Sequence, residues 1–155
     1  MTEPAAQPFD AKNAFLTITV GGLSAGALDL SQAVILFGAK VPLGIAAGLL
    51  GREAAHAGGI PIYLLGVFLH FFIAFSAAAV YYAASRKLGF LKEHWLICGL
   101  FYGAVVDQVM TLIVLPFSAL HARGPYKLHD LILGILVHMV TVGLPISFSV
   151  RRFAK

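Results

Sequence analysis

Four apolar runs, at about residues 14–38, 60–85, 95–115 and 128–150, each carry one ionisable side chain near the middle: Asp29, His70, Asp107 and His138. Each run holds roughly 20 residues or more, enough to cross the ~30 Å hydrocarbon core of a bilayer as a helix rising ~1.5 Å per residue. In hydrocarbon every backbone polar group must be satisfied within the protein, so each run has to be a helix. The chain therefore reads as an all-α integral membrane four-helix bundle, one transmembrane domain over residues 1–155. Composition agrees where it bears on the point: 59% hydrophobic and 12% charged residues leave too little polar surface to clothe a water-soluble core.

The formal charge of +4 is not a nucleic-acid footprint, because the basic residues lie mainly outside the apolar runs, where juxtamembrane anchors sit. Seven of the eleven, Lys12, Arg86, Lys87, Lys92, Arg151, Arg152 and Lys155, fall on the side of the two termini; Lys40, Arg52, Arg123 and Lys127 fall on the other. That excess puts both termini in the cytoplasm. The first 13 residues read as a polar tail, since a cleaved leader would open on positive charge and carry a shorter apolar core. Tyr81-Tyr82 beside Arg86-Lys87, and Trp95, suit the boundary between membrane and water. Residues 42–57 are too short and glycine-rich to span: Pro42 opens a helix, Leu43, Ala46, Ala47 and Leu50 share a face, and Arg52, Glu53 and His56 follow. This is an interfacial or re-entrant helix in the first outer loop, the interfacial form favoured because Arg52 and Glu53 can lie among head groups. The lone Cys98 excludes an intrachain disulfide.

The first and third runs share a pattern, Gly22-Leu23-x-x-Gly26 ahead of Asp29 and Gly99-Leu100-x-x-Gly103 ahead of Asp107; the second and fourth share Gly66-x-x-x-His70 and Gly134-x-x-x-His138 and end on paired basic residues. The chain thus reads as two tandem hairpins, with the symmetry axis along the membrane normal. Within each run the glycines and the ionisable group share one face at helical spacing, so Gly22, Gly26, Gly66, Gly99, Gly103 and Gly134 are the expected helix-packing positions, with the ionisable groups in the seams. Counted from the run ends, all four groups lie at a similar depth, roughly 14 Å in. Asp29 is expected to partner His70, and Asp107 to partner His138.

An aspartate at mid-membrane costs on the order of 2.5–3.5 kcal/mol, so two of them require compensation. The plainest reading is interhelical hydrogen bonding that fixes which faces meet. A sharper one makes Asp29, His70, Asp107 and His138 the groups of a proton- or cation-conducting path, the four side chains also being of the types that ligate a divalent ion such as zinc. An alternative gives His70 and His138 to haem b as axial ligands in an electron-transfer subunit, with Gly66 and Gly134 making room for the macrocycle. A third makes the protein an accessory subunit of a membrane complex, bound through its glycine faces. His56, His121, His129 and Asp130 lie in the outward loops as solvated residues or weak metal collectors, and Phe71, Phe72 and Phe75 face lipid or pack. No paired nucleophile and base or phosphate loop is present, which turns the reading away from an enzyme.

The runs Gly26-Ala27-Leu28-Asp29-Leu30, Ala47-Gly48-Leu49-Leu50-Gly51-Arg52-Glu53-Ala54 and Leu115-Pro116-Phe117-Ser118-Ala119, with His138-Met139 and Gly143-Leu144-Pro145-Ile146, resemble the YagU-like family of small bacterial four-helix inner-membrane proteins. The resemblance implies a bacterial inner membrane and four spans, and it carries over no catalytic or binding residue. The expectation is a small transport or channel-like protein in contact with the lipid bilayer and not with nucleic acid. Four short helices leave little room for a path within one copy, which also points to a homodimer.

Overall fold

The computed structural model describes residues 11–154; most of the polar N-terminal tail and the basic Lys155 lie outside the described residues. Four helices are long and apolar enough to cross a membrane: α1 (Ala11–Phe37), α4 (Ile60–Lys87), α6 (Trp95–Phe117) and α7 (Leu128–Phe153). The helices α2 (Val41–Leu50), α3 (Arg52–Ala57) and α5 (Phe90–Glu93) are short, and no strand occurs among the described residues. Large apolar side chains such as Phe15, Phe68, Phe101 and Phe117 stand well exposed on the outside. Water would penalise that surface and acyl chains would not, so this is a multi-pass membrane protein whose spans contact lipid.

The spans pack in the order α4, α1, α7, α6. Because α1 and α7 are the inner pair, each presents two faces. On α1, Gly22 and Gly26 lie under the rings of Phe75 and Phe71 of α4. The neighbouring stripe Thr17, Gly21 and Ala25 faces α7, where Ser149 Oγ donates to Thr17 O at 2.8 Å and Ile146 is fully buried. The α6–α7 seam is tighter still. A Cβ at Gly103 would strike the backbone of His138 and Met139, and one at Gly143 would strike the Gly99 carbonyl. Helices meet this closely only where side chains are missing, and the reward is dense packing along the backbone.

α1 and α4 are α-helical throughout, whereas α6 and α7 each contain a π-helical turn, Met110–Val114 and Met139–Gly143. Leu115 N–H reaches Met110 O and Leu144 N–H reaches Met139 O, five residues back. Each turn is followed by a proline, Pro116 or Pro145, which has no N–H to give and whose ring crowds the preceding turn. α6 accommodates Pro116 and continues to Phe117 rather than stopping near residue 115, and α7 continues to Phe153.

The end of the bundle that holds the termini is closed by aromatic side chains. Tyr81 and Tyr82 are buried; the Tyr81 hydroxyl donates to Leu91 O at 3.1 Å, and the Tyr102 hydroxyl of α6 donates to Ala77 O at 2.7 Å. The rings of Tyr81 and Tyr102 meet edge to face at 4.8 Å and join α4 to α6. Trp95, the first residue of α6, packs edge to face against Phe148 and lies beneath the Arg151 guanidinium. At the opposite end, the loop end, α4 and α6 part and α2 enters the gap. The expected single helix over 42–57 is broken in two by Gly51, whose φ of 84° lies in the region that glycine adopts without a Cβ penalty. Gly66 packs on α2 and not on another span: its missing Cβ leaves room for the backbone of Pro42.

Gly103→Ala should therefore cost about 1–3 kcal/mol through overpacking. Gly89→Ala, in open space at a negative φ, should stay within about 0.5 kcal/mol. Unfolding titrations in detergent measure both, and equal effects would remove the α6–α7 seam as the tight contact.

Candidate functional site

The four mid-span groups lie at comparable distances from the loop end. Asp29 precedes Phe37 by eight residues, and His70, Asp107 and His138 are each ten residues from the loop-end limit of their helix, about 12–15 Å along it. α7 contacts both acids. His138 Nδ1 is 2.9 Å from Gly134 O and 3.2 Å from Asp107 Oδ1. A carbonyl oxygen only accepts, so Nδ1 carries the proton and donates it, shared with the carboxylate, leaving Nε2 as the nitrogen that can exchange. Gln108 Nε2 donates to Asp107 Oδ2 at 2.9 Å, so both oxygens of this buried carboxyl group (Asp107 is 5% exposed) have partners. Gly134 makes the pairing possible, since a Cβ there would lie 2.7 Å from Asp107 Oδ1.

Asp29 does not pair with His70. It turns to α7, where Thr141 Oγ1 lies 2.8 Å from Asp29 Oδ1 and 3.0 Å from Val137 O. His70 Nε2–H donates to the Gly26 carbonyl at 2.9 Å, leaving Nδ1 free to accept or exchange a proton. The reason lies in the packing order. α7 sits between α1 and α6 and presents Thr141 to one and His138 to the other, while His70 on the outer helix α4 reaches only the α1 backbone. The expectation of one Asp–His pair in each hairpin thus gives way to one Asp–His pair, one Asp–Thr bond and one His–carbonyl bond.

Thr141 has a single hydroxyl proton and two neighbouring oxygens. Its hydroxyl lies within hydrogen-bond distance of both Asp29 Oδ1 and Val137 O and can donate to either. The second oxygen of Asp29, Oδ2, has no protein partner among the described residues.

Asp29 and His138 also line two cavities. One, of about 160 Å³, lies toward the loop end and includes Gln32 and the exposed Asp130. The other, of about 90 Å³, is a chamber that includes His70, Ala77 and Val142. It has room for a few waters. Beyond Ala77, toward the termini, the interior is filled by Tyr81, Tyr102, Ile146 and Val150. Asp29 and His138 are the residues common to the vestibule and the chamber.

A bis-histidine haem does not fit this arrangement, because His70 Nε2 is bonded to Gly26 O and the chamber beside the two histidines is too small for a porphyrin ring. Among the described residues no three His, Cys, Asp or Glu side chains converge as a metal site, and the Asp29 carboxylate faces a hydroxyl where a ligand set would need a second imidazole. His129 and Asp130, expected in a loop, lie in the first turn of α7, where they form an exposed neighbouring pair at 3.2 Å. Gln108, the packing role of Gly143, and the Thr17, Gly21 and Ala25 stripe are not among the sequence expectations. The stripe is visible in the sequence as small residues four apart, whereas nothing there marks Gln108 beyond its place next to Asp107. No family model matches the chain, and neither a curated protein nor a solved structure matches it.

These contacts predict different couplings for the two Asp–His combinations. A double-mutant cycle on Asp107 and His138 should give about 0.6–2 kcal/mol, the range of interhelical polar bonds. The same cycle on Asp29 and His70 should stay within about 0.5 kcal/mol. Unfolding in detergent provides the readout, and a comparable coupling in both cycles would restore the pairing by hairpin.

Proposed function

We infer that the protein moves protons across the membrane, with Asp29, His138 Nε2 and His70 Nδ1 as the exchanging groups and Asp107, Gln108, Gly134 and Thr141 holding them in position. The observation that carries this reading is that Asp29 and His138 line both the vestibule and the chamber. A proton arriving from the loop end can pass to either group and on to a space that His70 also lines. The step is an exchange between titratable groups of suitable chemistry, an unpaired carboxyl oxygen and two imidazoles. The packed tyrosines below the chamber make an open pore a poor description. Transport by alternating access fits better, with the π turns of α6 and α7 as the places where the spans can flex.

The wider reading rests on the sequence. We read the chain as two tandem hairpins of a YagU-like bacterial inner-membrane protein with cytoplasmic termini, on the strength of the repeated glycine patterns and the excess of basic residues on the terminal side. α2 is read as partly re-entrant, since Pro42 meets α4 at Gly66, about 9 Å along from Ile60.

Purified protein in liposomes carrying an internal pH dye should show a proton flux driven by an imposed gradient. Asp29→Asn should reduce it to the protein-free background with the thermal midpoint retained. Asp107→Asn should lower both flux and stability, as a positioning residue would. Flux unaffected by Asp29→Asn would overturn the assignment, and a Soret band in the purified protein would return the histidines to haem.

A further inference from the structure

Away from the Asp29 and His138 region, a large cavity opens at the loop end, where α2 fills the gap between α4 and α6. Its volume is about 490 Å³, within the ~300–1,000 Å³ typical of small-molecule sites. Val41, Leu49, Leu69 and Leu115 are among its walls. Ser118 is the one polar side chain in the lining, and its hydroxyl is already engaged, donating to Leu115 O at 2.7 Å and accepting from Leu120 N–H at 3.2 Å. What this space can recognise is hydrocarbon.

A second cavity, of about 380 Å³, shares Gly44 and Leu120 with the first. It is cationic: Lys40, Arg52 and His56 line it, and neither Lys40 nor Arg52 has an ion-pair partner among the described residues. Glu53, next to Arg52, is exposed and lines neither cavity. Two adjoining compartments, one apolar and one positively charged, match the two ends of an anionic amphiphile. We propose that the protein binds an anionic phospholipid here, with an acyl chain between α2, α4 and α6 and the phosphate on Lys40 and Arg52. Arginine supplies paired N–H donors to phosphate oxygens and lysine a mobile point charge. Gly44 is the junction, and a Cβ there would meet no atom within 4 Å, so the passage between the two compartments is open at this residue.

The site is independent of the proton-exchange reading, although the two are neighbours. Ile45, Ile73 and Met110 line both the apolar cavity and the chamber, so a seated acyl chain packs on the chamber wall.

Native mass spectrometry of the full chain released from detergent tests the proposal, with phosphatidylglycerol, phosphatidylcholine of the same acyl chains, and inorganic phosphate as probes. One tightly held phosphatidylglycerol is expected, with phosphatidylcholine bound roughly tenfold more weakly or worse. Lys40→Ala and Arg52→Ala, both at exposed positions, should each weaken phosphatidylglycerol by roughly fivefold. Gly44→Phe should abolish the tight adduct. Equal binding of the two lipids, unmoved by these substitutions, would mean ordinary boundary lipid and overturn the site. Inorganic phosphate binding as tightly as the lipid would reduce it to an anion site and overturn it as well. Survival of the tight adduct in a folded Gly44→Phe variant would refute the acyl-chain placement.

Discussion

A carboxyl group inside a bilayer must take its hydrogen bonds from the protein, and in this chain one helix contributes to both mid-span aspartates, Gln108 of α6 adding a second bond to Asp107. α7 gives His138 to Asp107 and Thr141 to Asp29. With each unpaired charge costing on the order of 2.5–3.5 kcal/mol at mid-membrane, an arrangement that left either acid facing lipid would be strongly disfavoured. α7 accordingly sits between α1 and α6. The glycines of the α6–α7 seam and the small stripe of α1 are what let it approach both neighbours closely enough for short side chains to reach.

That central position divides the bundle lengthwise. Toward the termini the packing is dense, with Tyr81 and Tyr102 tying α4 to α6 and each hydroxyl bonded to a carbonyl. Toward the loops α4 and α6 separate, α2 enters, and the cavities collect. Polar chemistry therefore has access from one side only. The ionisable groups stand within the cavity-bearing half, and the packed tyrosines lie beyond them toward the termini.

Much of the architecture was legible because hydrocarbon imposes such simple rules. An apolar run of this length with one charge has few alternatives to a spanning helix, and the Gly-x-x-x-Gly spacing on α1 and α6 marks faces that approach a neighbour closely. Helical spacing says which residues share a face without saying which helix that face meets. Hence Asp29 and His70, placed at similar depth on consecutive spans, were natural partners in sequence and are not partners in the fold. Packing order is a property of the whole bundle, decided by stripes such as Thr17, Gly21 and Ala25 that carry no charge to draw attention. Tyr81 shows the same limit from another side: beside Arg86 and Lys87 it has the look of a boundary residue, and only the carbonyl of Leu91, across the turn, makes its burial tolerable.

The one-residue difference between the two aspartate motifs acquires meaning in this light. Asp29 follows its second glycine by three residues and Asp107 by four, a rotation of roughly 100° about the helix axis. On α1, Gly26 faces α4 and Asp29 is turned toward the other neighbour, α7. On α6, Gly103 and Asp107 share the single face that meets α7. The inner helix α1 has two small-residue faces, Gly22 and Gly26 toward α4 and Thr17, Gly21 and Ala25 toward α7, and Asp29 continues the second; the outer helix α6 has one such face, and Asp107 continues it. The offset that breaks the repeat is thus what lets both acids converge on the same helix. The extra residue also gives them unequal environments, Asp107 bonded at both oxygens and Asp29 with one oxygen unclaimed. Of the two, Asp107 is tied into the α6–α7 seam, whereas Asp29 lines the two cavities.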